Sequence, residues 1–327
     1  MKEFNYKLVE EAYERIRDYV HFTPLEESLY LSDNEHKVFF KLESMQSLKS
    51  FKIRGAMNKM LSLTEEEKEL GVGCVSSGNH GASVSYGASL LGIKNCTVIC
   101  SKATPKAKTQ KMKYFGANVI QEGENFDGAH AFGMEYLKSH KMTYIDSYYN
   151  DPLVYAGQGT IAIEIFKQNP DIDTIVVPIG GGSLITGISV MAKHIKPSVR
   201  IIGVQTAACP AMIASYKDHK FYEEYPTEGD TVCDALVGGV GELSYNLLKD
   251  YVDDLIEVSE VSIRKAIKHM IREEKYMIEG GSATTVAALH DYKERIGGKN
   301  IALIISGGNI DGELMTSILN EQFDDEY

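Results

Sequence analysis

The sequence predicts an α/β protein with a parallel-sheet large domain and a smaller inserted α/β domain. Three observations lead there. Short apolar runs alternate with amphipathic stretches from end to end, the pattern of strands and helices in parallel α/β architecture. Several of the apolar runs lack polar alternation, as strands covered on both faces do. The chain has 327 residues, and at roughly 100–200 residues per domain that suggests two domains with room for a cleft.

The elements follow in order. The first twenty residues, MKEFNYKLVEEAYERIRDYV, are charged throughout. They read as an amphipathic helix, neither a secretory signal nor a transit peptide. Strands are predicted over Val38–Leu42, Gly73–Ser76, Thr97–Cys100, Asn118–Gln121, Thr174–Pro178, Arg200–Gln205 and Ile301–Ile305. Apolar residues recur at helical spacing over Gly81–Leu91, Pro105–Phe115, Asp127–His140, Leu153–Gln168, Leu184–His194, Val261–Glu274 and Gly281–Tyr292, which predicts helices there. The block from Val72 to Asp146 is a compact strand–helix series of its own. The expected division is therefore a small mobile domain over 72–146, inserted into a large domain made of 1–71 and 147–327. No repeat, low-complexity tract or long linker separates the two.

Composition narrows the function. The chain is 43% hydrophobic and 24% charged, the balance of an ordinary soluble globular protein. No stretch approaches the ~20 consecutive apolar residues of a membrane span. The net charge of −12 repels polyanions and leaves no basic nucleic-acid footprint. A small molecule is the expected partner, with neither nucleic acid nor membrane. The basic run from Lys102 to Lys113 reads as the solvated face of a helix. The five cysteines, an odd number with no Cys-x-x-Cys pair, fit free thiols in a reducing cytoplasm. Cys96 and Cys100 read as small buried hydrophobes in a strand, since no histidine lies nearby at ligand spacing.

Three junctions carry the chemistry. Val75-Ser-Ser-Gly-Asn-His-Gly81 and Val177-Pro-Ile-Gly-Gly-Gly-Ser-Leu184 each join a strand to a helix, and Ile305-Ser-Gly-Gly-Asn309 follows the last strand. Open α/β sheets bind ligands at the carboxyl ends of their strands. Glycines there let backbone N–H groups approach an anion, and a following helix N-terminus adds positive potential. Gly180, Gly181, Gly182 and Ser183 thus suit a phosphate; a turn used only for close packing is the alternative. The loop is no Walker motif, and its spacing fails the Gly-x-Gly-x-x-Gly fingerprint. Ser76, Ser77, Asn79 and His80 suit a carboxylate; simple capping of a helix start is the alternative. Lys52, in Ser47-Leu-Lys-Ser-Phe-Lys-Ile-Arg-Gly55, has apolar neighbours Phe51 and Ile53, and a catalytic lysine needs such a desolvated setting. By composition alone Lys49 and Lys59 are equal candidates.

Together these segments bring a family into view. Ser50-Phe-Lys-Ile-Arg-Gly-Ala56 resembles the Schiff-base lysine motif of fold-type II pyridoxal-phosphate enzymes, whose fold is that of the tryptophan synthase β chain. Ser76-Ser-Gly-Asn-His-Gly81 looks like their substrate-carboxylate loop, Gly180–Leu184 like their phosphate loop, and Ser306-Gly-Gly-Asn309 like the segment that meets the pyridine nitrogen. The order matches over nearly the whole chain. The histidine in Ser-Gly-Asn-His separates it from cysteine synthases and points to threonine/serine dehydratases and serine racemases.

The resemblance implies a set of roles. Lys52 would carry pyridoxal 5'-phosphate as a Schiff base and then act as base at the substrate Cα. Phe51 would pack beside the ring, and Asn79 would bond its phenolic oxygen. Backbone N–H groups of Gly180, Gly181, Gly182, Ser183 and Leu184 would hold the phosphate. Ser76, Ser77, Asn79 and His80 would hold the substrate carboxylate, and Ser306 would meet the pyridine nitrogen. A serine there cannot hold a pyridinium charge, which favours β-elimination over transamination.

Two departures stand out. Ser183 takes the place of a usual glycine. The stretch Gln205-Thr-Ala-Ala-Cys-Pro-Ala211 lacks the carboxylates that hold a divalent cation in some relatives, so no metal is expected there. The expected activity is an L-threonine/L-serine ammonia-lyase, releasing an enamine that hydrolyses to a 2-oxo acid and ammonia. Gly123-Glu-Asn-Phe-Asp127 looks more like dehydratases than racemases. An amino-acid racemase is the alternative, because Ser77 stands where racemases carry an acid/base on the face opposite Lys52. A dehydratase of another β-hydroxy amino acid, such as 3-hydroxyaspartate, and a non-catalytic binding relative complete the set. A homo-oligomer is expected.

Overall fold

The computed structural model describes residues 3–323. Among them the strands form two sheets. The strands are β1 (Leu25–Glu27), β2 (Lys37–Leu42), β3 (Val72–Val75), β4 (Cys96–Cys100), β5 (Asn118–Gln121), β6 (Thr143–Tyr144), β7 (Thr174–Pro178), β8 (Arg200–Thr206), β9 (Asp254–Val258) and β10 (Asn300–Ile305). The larger sheet has the order β1-β2-β10-β7-β8-β9, and the smaller β5-β4-β3-β6. All pairings are parallel except β1 with β2.

The missing polar alternation in the central strands has a direct cause. Side chains alternate faces along a strand, and both faces of the larger sheet are covered. On one side Ile175, Val177, Ala302 and Ile304 join the helices Tyr6–Ile16, Pro152–Gln168 and Ser183–Ile195. On the other, Val176, Ile301, Leu303 and Ile305 join Glu260–Arg272 and Gly280–Ile296. Each such fully buried Val, Leu or Ile side chain contributes about 1.5–3 kcal/mol of transfer free energy.

The smaller sheet is covered likewise. Helix Phe126–Ser139 lies over Val75 and Ile99 through Ala129 and Leu137. On the other face Val72, Cys74 and Val98 meet Val84 and Ala88 of helix Asn79–Leu90. The same cluster takes in Ile53, Ala56, Met57 and Met60 of helix Lys52–Leu61. Gly87 permits this approach, since a Cβ there would lie 2.2 Å from Met60 Cε and 2.7 Å from Met57 Sδ. The helix that starts at Lys52 is therefore packed between the two sheets.

A buried ion network fixes that helix. Arg54 donates to both oxygens of Glu43 at 2.8 Å and to both oxygens of Glu164 at 2.7 and 2.9 Å. Lys41 Nζ adds a bond to Glu164 at 2.6 Å. All four side chains are buried, so two positive and two negative charges must satisfy one another. Burial opposes the charge on Glu43, but the Arg54 guanidinium holds its carboxyl below the ordinary carboxylate range.

Sequence periodicity missed several elements for identifiable reasons. β1 and β6 are too short to show a period. β9 carries Asp254 and Glu257 among its five residues, which masks it. Helix Glu65–Leu70 buries nothing and so has no apolar stripe, yet Thr64 and Glu67 form a capping box that was legible. Helices Lys52–Leu61, Ala211–Lys217, Glu242–Tyr251 and Gly312–Asn320 also lay outside the predicted set. Helix Gly280–Ile296 runs past the predicted end at Tyr292, where the backbone kinks at φ −135° and ψ 33°.

Candidate active site

A cleft of about 1780 Å³ is lined by residues from both sheets. Phe51, Lys52, Ser76, Ser77, Asn79, His80, Gly180, Gly181, Gly182, Ser183, Leu184 and Ser306 all line it. Strands β3, β7 and β10 point their carboxyl ends at it, because Ser76, Ile179 and Ser306 are the first residues beyond them. Lys59 also lines the cleft, and Lys49 does not. Lys59 pairs with Asp151 at 2.7 Å, and Lys49 is exposed.

Lys52 opens its helix, and the residue before it is tied to the last strand. Phe51 N–H donates to Ser306 O at 3.0 Å, and Ser50 bridges to Gly307. Lys52 Nζ donates to Ser147 O at 3.2 Å and sits 5.1 Å from the Phe51 ring centroid. Burial lowers the Lys52 amine to about 8, against the opposing pull of Asp146 and Glu279. Asp146 shapes the loop that meets it. Its carboxylate accepts the N–H groups of Tyr148, Tyr149, Asn150 and Asp151 at 2.7–3.2 Å, which holds Ser147 O in place.

The glycine loop is built for close approach. Gly182 has φ +100°, a conformation natural to glycine. A Cβ on Gly181 would lie 2.0 Å from the Tyr148 ring, so that aromatic ring lies against the loop. No side chain caps helix Ser183–Ile195, and its first N–H groups point out of its N-terminus, where an anion is stabilised. Ser183 Oγ donates to Ser147 O at 3.3 Å, which links this loop to the one facing Lys52.

The serine-rich loop behaves less simply. Thr104 Oγ1 donates to Ser77 Oγ at 2.9 Å, and Gly78 N–H donates to Ser76 Oγ at 3.2 Å. His80 Nε2 bonds Ile145 O at 2.9 Å. A carbonyl only accepts, so Nε2 carries the proton. Burial, then the Lys52 charge, lower this imidazole to about 4. Its Nδ1 is thus a bare acceptor, buried and with no protein partner among the described residues. An acceptor cannot bond a carboxylate. Only the backbone N–H of His80, at the N-terminus of its helix, suits that ligand.

Four cleft residues were given no role by the sequence. Glu279, buried, accepts from Asn79 Nδ2 at 3.0 and 3.1 Å and from Asn309 N–H at 3.1 Å. Burial raises its carboxyl to about 7. Asn309 donates to Asn79 Oδ1 at 2.7 Å and accepts from Lys111 Nζ at 3.0 Å. Lys111 is half-buried and lines the cleft, so it departs from the solvated helix face expected of Lys102–Lys113. Asp146 is the fourth. No local pattern marks Glu279, Lys111 or Asp146, whereas Asn309 lay inside a motif already singled out. Ser306 Oγ is 3.1 Å from Ser282 Oγ.

Comparison with known proteins decides what this cleft belongs to. The family model described as pyridoxal-phosphate dependent enzyme matches residues 16–307. The chain belongs to the pyridoxal-phosphate-dependent enzymes. It is similar to the L-threonine ammonia-lyase of Thermotoga maritima, at 39% identity over 96% of this chain and 77% of that protein. It is similar to the catabolic L-threonine dehydratase of Staphylococcus aureus, at 40% identity over 93% of this chain and 88% of that protein. Among solved structures, maize serine racemase superposes with a TM-score of 0.89 at 32% identity, covering 97% of each chain. The processed form of threonine deaminase isoform 2 from Solanum lycopersicum does so with a TM-score of 0.88 at 30% identity, covering 95% of this chain and 86% of that one. The architecture is that of fold-type II pyridoxal-phosphate enzymes.

The residues present fit the family's cofactor. A lysine amine lowered by burial to about 8 suits a bond to its aldehyde, an uncapped helix start beside three glycines suits its phosphate, and apolar Phe51 suits its ring. In the stretch Gln205–Ala211, which begins at the end of β8 and where no metal is expected, Gln205 serves the backbone. Its Oε1 accepts from Met212 and Ile213 N–H at 2.9 and 3.0 Å, which starts helix Ala211–Lys217. Among the described residues no group of three or more His, Cys, Asp or Glu could hold a metal ion, and no helix is long and apolar enough to cross a membrane. All five cysteines are free and buried.

Proposed function

We propose that this enzyme is an L-threonine/L-serine ammonia-lyase that forms a 2-oxo acid and ammonia by β-elimination. The observation that carries the reading is the pair of relatives named for this reaction, each about 40% identical and matched over more than nine-tenths of this chain. Pyridoxal phosphate, when bound, supplies an electron-withdrawing ring that stabilises negative charge at the substrate Cα.

The chain's residues divide the remaining work. Lys52 Nζ takes the Cα proton; burial lowers that amine to about 8, so it gives the proton up more readily than an exposed lysine would, while Asp146 and Glu279 oppose the fall. N–H groups of Gly180, Gly181, Gly182, Ser183 and Leu184 hold the phosphate. Phe51 packs on the ring, Asn79 bonds its phenolic oxygen, and Ser306 meets its nitrogen. Ser76, Ser77 and Asn79, with the backbone of His80, hold the substrate carboxylate. Residues 72–146 act as a small domain against 1–71 and 147–327, so that the cleft between them can exclude water. A homo-oligomer in the cytoplasm completes the proposal, the latter supported by the five unpaired cysteines.

Ser77 supports a second reading, an amino-acid racemase. Its Oγ already accepts from Thr104, so its own proton remains available to donate. A screen of serine, threonine and 3-hydroxyaspartate enantiomers, following 2-oxo acid, separates these readings. Oxo acid from L-threonine and L-serine is expected. D-serine as the main product from L-serine overturns the lyase in favour of the racemase, and oxo acid from hydroxyaspartate alone overturns the substrate assignment. Where both reactions occur, Ser77→Ala should abolish racemisation and spare most elimination.

A further inference from the structure

We propose that Lys111 is a positioning residue of this site: through Asn309 it fixes which end of the Asn79 amide faces the bound cofactor. The proposal rests on the functional reading above, in which Asn79 contacts that cofactor.

An asparagine amide has an oxygen end and a nitrogen end of nearly equal size. Its hydrogen-bond partners decide which way it points. Here the partners form a chain. Lys111 Nζ donates to Asn309 Oδ1 at 3.0 Å. Asn309 Nδ2 donates to Leu48 O at 2.8 Å and to Asn79 Oδ1 at 2.7 Å. Asn79 Nδ2 then donates to Glu279 at 3.0 and 3.1 Å.

The two groups that hold Asn309 are not interchangeable. An ammonium only donates, so Lys111 requires the oxygen of Asn309 on its side. A peptide carbonyl only accepts, so Leu48 requires the nitrogen on the other. With Asn309 set, Asn79 must offer it an oxygen. The nitrogen of Asn79 is left for Glu279 and, with its second hydrogen, for the ligand. Polarity is thus passed over two amides from a lysine outside the predicted site.

Its placement gives this chain of bonds a second property. Lys111 lies on helix Lys106–Tyr114, beside the smaller sheet, and Asn309 follows β10 of the larger. Both line the cleft. The same helix makes another crossing through Lys108 and Asp234 at 2.7 Å, but those side chains are exposed and such a pair contributes little. The Lys111 bond is half-buried and continues inward to the site.

The test uses the full-length protein stripped of cofactor and titrated with pyridoxal phosphate, read by equilibrium dialysis and by the visible-edge absorption of the bound form. Lys111→Met removes the donor and keeps the apolar stem. It should lose about tenfold in affinity, the worth of one charge-assisted hydrogen bond, and move the absorption maximum. Lys111→Arg keeps a donor-only cation and should restore both. Asn309→Asp replaces the nitrogen with a second acceptor, sets it against the Asn79 oxygen while Glu279 still claims the Asn79 nitrogen, and should displace the Asn79 amide and move the absorption maximum too; it carries the test if Lys111→Met does not fold. Wild-type affinity and absorption in Lys111→Met, with normal uptake by the parent protein, overturn this inference alone, as does Lys111→Arg behaving like Lys111→Met. A parent protein that takes up no pyridoxal phosphate overturns the functional reading and this inference with it.

Discussion

The backbone N–H of Phe51 donates to the backbone oxygen of Ser306 at 3.0 Å. This bond joins residues 255 positions apart in sequence (306 minus 51). It sets the lysine that follows Phe51 and the serine at the end of β10 in fixed relation. In the proposed reading, a cofactor ring packed on Phe51 would find Lys52 and the Ser306 hydroxyl already held relative to each other by this bond. Preorganisation of this kind supplies rate without a further ordering cost at the moment of reaction.

Ser306→Ala tests the side chain apart from this backbone bond. The hydroxyl also neighbours Ser282 Oγ at 3.1 Å. Loss of one buried hydrogen bond costs about 1 kcal/mol, so the protein should fold and still take up pyridoxal phosphate. Its 2-oxo acid formation should fall and its absorption maximum should shift. Wild-type kinetics and spectrum would remove Ser306 from the site.

Two buried groups give opposite pH dependences of stability in the cofactor-free protein. The Lys52 amine is lowered to about 8 by burial, against about 10.4 in an unfolded chain. Its charge is costly below about 8, and that cost fades as pH rises to the unfolded value. Glu279 is raised from 4.5 to about 7 by burial. Its cost is absent below the unfolded value and grows as pH rises to about 7. Urea unfolding across pH should show Lys52→Met losing its advantage over the parent between about pH 8 and 10. It should show Glu279→Gln gaining its own between about pH 4.5 and 7. Curves that stay parallel to the parent would contradict both assignments.

Arg54→Met tests the ion network behind the site. The variant leaves Glu43 and Glu164 buried with Lys41 as their remaining cation. Breaking a buried pair from one side costs about 3–5 kcal/mol. The urea midpoint should fall accordingly, and cofactor uptake should weaken because helix Lys52–Leu61 loses its anchor. A loss below about 1 kcal/mol would show that the network relaxes or takes in water.

Most of the fold was legible because its central strands are covered on both faces. An apolar run such as Ile175–Val177 records that directly. The edges were not: β1 and β6 are held by pairing to longer neighbours rather than by any pattern of their own. The site was legible where backbone geometry leaves a chemical trace, as in Gly180–Gly182. It was silent where a single side chain acts over distance. Glu279 and Lys111 look like any other charged residues until the fold brings them to Asn79 and Asn309. His80 stood inside a motif the sequence singled out, but only the bond to Ile145 reveals that its ring is a neutral acceptor.

The most direct test of the account is Lys52→Ala, reconstituted with pyridoxal phosphate and supplied with L-threonine. The parent protein should show the near-ultraviolet absorption of lysine-bound cofactor and release 2-oxobutanoate. The folded variant should lose that absorption and fall at least about a thousandfold in product formation, as expected for a base and covalent anchor lost together. A folded Lys52→Ala that keeps the band and the activity, or a parent that stays colourless with added cofactor, would contradict it.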